Sequence, residues 1–143
     1  MNVLIRGGGD LGSGIAYRLF TIGWNVVITE TEQPFVLRRS VAFANAIYES
    51  SMQVEGITAH KIQTSQQISG LLQKRLIPVL ISPNQYIFSE FKPDVVVDAR
   101  MLKKFVDYKL SNAPIIIGLG PGFIVEKNCH AVVETHRGHY LGR

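Results

Sequence analysis

Cysteine is nearly absent from this chain: Cys129 stands alone among 143 residues. One thiol makes no internal disulfide, so packing must hold the fold, and a reducing, cytoplasmic setting is the simpler expectation. A long apolar run is missing too. The most apolar stretch, residues 113–125, is broken by Pro114, Gly118, Gly120, Pro121 and Gly122, and falls short of the ~20 residues that a membrane span needs. At the N-terminus Arg6 and Asp10 interrupt the apolar residues before the core of a signal peptide can form. Basic runs are also lacking. The net charge is +4, but the cations are scattered or in adjacent pairs such as Arg38-Arg39 and Lys103-Lys104, which is not a nucleic-acid footprint. A mild positive balance suits a solvated surface or a small anionic ligand. With 46% hydrophobic residues and 15 basic against 11 acidic side chains, the composition excludes intrinsic disorder. It predicts one domain over residues 1–143, large enough to bury roughly two-thirds of its unfolded surface.

What is present is alternation. Residues 2–5, 26–29, 79–81, 95–97, 115–119 and 131–134 are short apolar runs that read as buried strands. Leu11, Ile15, Leu19 and Ile22 recur at helical spacing, and Gly23 stands where a left-handed terminator belongs. Pro34 suits a first helical turn, and the apolar positions after it predict a helix to about Tyr48. Residues 52–59 alternate around Gly56, the pattern of a hairpin or strand pair, whose exposed edge offers a route to a homodimer. Thr64 or Ser65 caps a helix carrying Ile68, Leu71 and Leu72. The expectation is an α/β fold, a mostly parallel open sheet flanked by helices.

The first strand runs into Gly7-Gly8-Gly9-Asp10-Leu11-Gly12, which satisfies G-x-G-x-x-G between a strand and a helix. Gly7 allows the tight turn, Gly9 lets the backbone approach a phosphate, and Gly12 lets helix and strand pack closely. The helix N-terminus adds free N–H donors and partial positive charge. Glu30, at the end of the second strand, is placed to hydrogen-bond ribose hydroxyls, favouring NAD, while Arg38 or Arg39 would pair with the extra phosphate of NADP. Asp10 would oppose a phosphate unless it turns away as a helix cap, and Arg6, directly before the glycines, is positioned in sequence to offset it by reaching the ligand. Arg6, Gly7, Gly8, Gly9, Asp10, Leu11, Gly12 and Glu30 are therefore candidate cofactor-binding residues; the competing reading is a merely tight connection.

Gly118, Gly120 and Gly122 follow another strand, and Asp98 and Glu134 end two more. In a parallel sheet these residues converge with the first glycine loop on one crevice, unless the glycines only make a turn and Asp98 only caps. The tail after Glu134 holds His136, Arg137 and His139, but with Cys129 and His130 it matches no zinc spacing, so no metal is expected. There is no G-x-S-x-G elbow, and the catalytic residues stay unassigned; in an oxidoreductase, Asp98, Glu134 or His139 would handle the proton while the nicotinamide carries hydride.

The whole chain also resembles a family. Residues 3–11, 14–19, Glu32-Gln33-Pro34 with Arg38-Arg39, Val41-Ala42-Phe43, the run 118–123, Glu134-Thr135, Arg137-Gly138-His139 and Leu141-Gly142-Arg143 look like the accessory proteins of selenium-dependent molybdenum hydroxylase systems. The resemblance implies a Rossmann-like domain, distantly similar to factors that insert modified molybdenum cofactor into xanthine dehydrogenase. It implies maturation of a bacterial molybdenum hydroxylase as the setting, with that enzyme as partner. Members of the family continue beyond the point matching Arg143, so this chain looks like their N-terminal part. It implies no catalytic residues. Three functions stay open: an accessory protein binding a nucleotide or molybdenum cofactor, an NAD(P)-dependent oxidoreductase of a small molecule, and a non-catalytic docking protein.

Overall fold

A computed structural model describes residues 1–81, 86–104 and 106–135. Eight strands form one sheet: β1 (Asn2–Arg6), β2 (Asn25–Glu30), β3 (Ser51–Val54), β4 (Ile57–Ile62), β5 (Ile77–Ile81), β6 (Val95–Asp98), β7 (Ile115–Leu119) and β8 (Ala131–Val133). Their spatial order is β3-β4-β5-β2-β1-β6-β7-β8. Every neighbouring pair is parallel except β3 with β4. With the β3–β4 hairpin set aside, the remaining six strands follow the doubly wound order 3-2-1-4-5-6. The fold is Rossmann-like, as the alternation of elements predicts.

The central strands are buried on both faces because helices cover both, which is why they read as unbroken apolar runs. Helix α1 (Asp10–Thr21) and the segment through α2 (Ala46–Glu49) pack against Val3, Ile5, Val26 and Ile28. On the other face α3 (Ile68–Gln73) and α4 (Tyr86–Phe91) cover Leu4, Val27, Leu80 and Val96. Helix α1 ends as the sequence predicts: Gly23 has φ +93°, its amide donates to Phe20 O, and Trp24 N reaches back to Leu19 O. Glu55 and Gly56, both at positive φ, form the two-residue turn of the hairpin, the geometry that matches strand twist. Gln67 Oε1 accepts from the Gln63 and Thr64 amides, closing the entry to α3.

One element differs. The helix expected over residues 34–48 is replaced by two short 3-10 turns, Arg39–Val41 and Phe43–Asn45, and the single turn of α2. Ala42, Phe43 and Ala44 are consecutive and all fully buried, which one face of a helix cannot supply. Their backbone is used instead: Ala44 N donates to Gly8 O at 2.8 Å, and Phe43 N to Ser13 Oγ at 2.7 Å. This segment clasps the glycine loop rather than coiling beside it.

Candidate functional site

The glycine loop lies at the carboxyl end of β1, beside the point where the chain's strand order reverses between β1 and β6. Open α/β sheets bind ligands there. Gly7 takes φ +93° and its amide donates to Thr29 O at 2.9 Å, so the turn is fixed to β2. A Cβ on Gly12 would overlap the Gly7 carbonyl oxygen, so the close approach of helix and strand is literal. Gly8 is hemmed in by Ile28 and Ala44, whereas a Cβ on Gly9 would meet none of the described residues within 4 Å. Gly9 is also the N-cap of α1 and offers no side chain, leaving the first-turn amides without a side-chain acceptor.

A cavity of about 290 Å³ adjoins the loop, lined by Arg6, Gly7, Gly9, Thr29, Glu30, Thr31, Phe35, Ala99 and Arg100. Glu30 stands at its β2 side. Its Oε1 accepts from Gly8 N at 2.7 Å and its Oε2 from Thr31 N at 3.0 Å, so the carboxylate is aimed by the loop, with acceptor capacity left on each oxygen. Phe35 overhangs the mouth with 94% of its surface exposed.

Arg6 and Asp10 each have a charged partner within the protein. Arg6 shares its face of β1 with Leu4, opposite α1, by strand alternation. There it is 2% exposed, and its Nη1 and Nη2 donate to Asp107 at 2.9 and 3.0 Å. The rings of Phe88 and Tyr108 flank its guanidinium at 5.6 and 5.5 Å. Asp10 is balanced by Arg38 instead, which turns one cation considered for a 2′-phosphate toward the protein's own acid.

Asp98 is fully buried in register with Arg6. It receives Arg100 Nε at 2.9 Å and Nη2 at 2.6 Å, and the Arg100 amide at 3.2 Å. Arg100 Nη2 also donates to Asp107 at 2.6 Å. Burial works against the Arg100 charge, but its bonds to Asp98 and Asp107 outweigh that and raise its pKa. Burial likewise opposes the Asp107 charge, and the hydrogen bonds from Arg100 and Arg6 prevail, holding its carboxyl below the ordinary range. Tyr108 is pushed upward, first by burial and then by the Asp98 charge.

The second glycine loop does not converge on this cavity. Phe123 lies on Gly118 where a Cβ would go, and Gly120 and Gly122 press against the backbone of residues 101–104. Gly122 N donates to Leu102 O at 2.8 Å. These glycines allow close packing, and neither they, Asp98 nor Glu134 line the cavity. Leu11, in the first turn of α1, is partly buried against the core. Cys129 is buried, and burial pushes its thiol pKa up, which keeps it protonated and unreactive. His136, Arg137 and His139 lie outside the described residues.

Three participants were not singled out by sequence. Arg100 follows a strand end by two residues, a position at the ligand edge of the sheet, and that placement was a usable signal. Phe35 lay inside the expected helix and gave none. Asp107 sits in an irregular stretch whose path only the folded chain reveals.

The chain is 45% identical over 141 residues to a protein of Escherichia coli strain K12 named Uncharacterized protein YqeB; the match covers 99% of this chain and 26% of that protein. The chain thus spans about a quarter of the length of the curated relative it matches. No family model matches it, and no solved structure does. Among the described residues no helix is long and apolar enough to cross a membrane.

Proposed function

We propose that the domain binds a phosphate-bearing nucleotide or cofactor on the β1–α1 glycine loop, as an accessory protein of a selenium-dependent molybdenum hydroxylase system. The observation that carries the binding reading is the open space over Gly9, facing uncapped helix amides, with Glu30 across the cavity. The hydroxylase setting rests on the sequence resemblance.

The chemistry is recognition rather than bond making. A phosphate over Gly9 accepts from the first-turn amides and meets the positive end of α1. A ribose diol donates to the remaining lone pairs of Glu30, whose negative charge disfavours a 2′-phosphate, so NAD is preferred to NADP. Phe35 offers a bare aromatic face to a flat ring, whether nucleobase or pterin. At about 290 Å³ the cavity is at the low end of small-molecule sites, typically ~300–1,000 Å³. It seats one end of a dinucleotide, or the phosphate end of molybdenum cofactor, with the rest reaching past Phe35. Bound there, that cofactor would supply its own metal chemistry, while these residues hold and orient its phosphate.

A thermal-shift panel with NAD, NADP, ATP, CTP and a pterin phosphate tests the reading. A ligand at ~100 times its dissociation constant adds about 2.7 kcal/mol of stability, a shift of several degrees. One selective shift is the expected result. No shift from any of them overturns ligand binding and leaves a docking role. A change in nicotinamide absorbance with a substrate would convert the accessory reading into an NAD(P)-dependent oxidoreductase.

A further inference from the structure

Arg6 and Arg100 both line the cavity beside the glycine loop, and a single carboxylate, Asp107, accepts from both guanidiniums. Asp107 accepts both Nη atoms of Arg6, and the same Oδ1 that takes Arg6 Nη1 also takes Arg100 Nη2 at 2.6 Å. A planar oxyanion seated in one guanidinium fork and touched by a second is how proteins grip phosphate and carboxylate ligands. Arg6 is 2% exposed, and its buried Nε has no hydrogen-bond partner among the described residues. Among these four side chains of the described residues, Arg6, Arg100, Asp98 and Asp107, the two acids match the two cations. The side chain of Asp107 is also the partly exposed member of its pair, 24% against 2% for Arg6.

We infer that Arg6 and Arg100 form a site for a phosphoryl group, and that Asp107 fills it in the free protein as an internal competitor. This deepens the proposed nucleotide-binding reading and rests on it for the choice of ligand. On binding, two phosphoryl oxygens take the Arg6 fork, and Asp107 turns out to water and regains its hydration. Arg100 keeps Asp98 and lends Nη2 to the incoming anion. The competitor lowers apparent affinity by the fraction of molecules in which it is displaced. It also makes the site selective, since a ligand must offer a better-charged oxyanion than a carboxylate.

Calorimetric titrations with inorganic pyrophosphate, and separately with NAD, test this on the wild type, Asp107→Asn and Asp107→Asn/Arg100→Gln. Asn keeps the size and one acceptor oxygen but removes the charge. Asp107→Asn is expected to bind pyrophosphate about tenfold more tightly than the wild type, and the added Arg100→Gln to abolish that gain. Equal pyrophosphate affinity in the wild type and Asp107→Asn overturns the inference. If Asp107→Asn does not fold, hydrogen exchange on the wild type decides. Pyrophosphate should speed exchange at residues 106–109, and unchanged exchange there overturns the competitor. The two readings fail separately. NAD binding that Asp107→Asn leaves untouched sinks the competitor alone, whereas a pyrophosphate gain without NAD binding in any variant supports the arginine site and sinks NAD as its ligand.

Discussion

The Gly8 amide donates to Glu30 Oε1 at 2.7 Å, tying the glycine loop of β1 to the acid that ends β2. The residue aimed at a ribose and the loop aimed at a phosphate are therefore one hydrogen-bonded unit, and a change in either is felt by both. Glu30→Gln retains an acceptor for Gly8 N but loses the negative charge. It should cost about 1 kcal/mol of stability and narrow any preference for NAD over NADP. Parallel titrations with the two dinucleotides measure this, and an unchanged ratio would remove Glu30 from ribose recognition.

The glycines divide by what lies in front of them. Gly12→Ala drives a Cβ into the Gly7 carbonyl and should destabilise the fold by about 3 kcal/mol. Gly9→Ala meets open space at an ordinary φ of −67°, so stability should hold within about 0.5 kcal/mol. Nucleotide affinity should nevertheless drop, because the new methyl stands where the phosphate approaches. Urea midpoints and binding isotherms on the two variants separate the effects.

Phe35 should be silent in folding and audible in binding. Its ring buries almost nothing, so Phe35→Ala leaves the melting temperature in place. Loss of a stacking face is worth ~1–3 kcal/mol per base where it has been measured in other sites. Affinity for a nucleotide should fall accordingly, whereas that for pyrophosphate should not. Equal losses for both would mean that Phe35 acts on the loop and not on a ring.

The Asp107 carboxyl is held below its unfolded value, ordinarily about 3.9, by Arg100 and Arg6 despite burial. Its contribution to stability is present above that value and is lost as pH falls through the lowered one. Urea midpoints should therefore decline below about pH 4, and Asp107→Asn should flatten that acid limb. A variant with the wild-type acid limb would show that other carboxyls govern it.

Much of the scaffold was legible because the parallel strands are continuous apolar runs punctuated by glycine. Residues 115–119 coincide with β7, and the G-x-G-x-x-G motif starts directly after β1 and runs into the first turn of α1. The failures share a cause. Residues 34–48 look helical by composition, yet their structure is set by backbone bonds from Phe43 and Ala44 to the distant Ser13 and Gly8, which no local pattern encodes. Arg6 stood out because its neighbours in sequence are the glycines, but its buried ion pair with Asp107 was not foreseen. Strand alternation puts it on the Leu4 face, and its partner Asp107 lies 101 residues further along the chain, beyond any local pattern. The second glycine loop carried the same residue signal as the first, and what separates them is the Phe123 ring seated on Gly118.

The clasp by Ala42, Phe43 and Ala44 has a kinetic and entropic corollary. With Gly7 N, Gly8 N and Gly8 O all engaged by Thr29, Glu30 and Ala44, the loop has few conformations left to lose. The ordering that other glycine-rich segments undergo on meeting a ligand is here completed during folding. Association should then proceed without a slow rearrangement of the loop, and residence time should depend on how often the clasp opens.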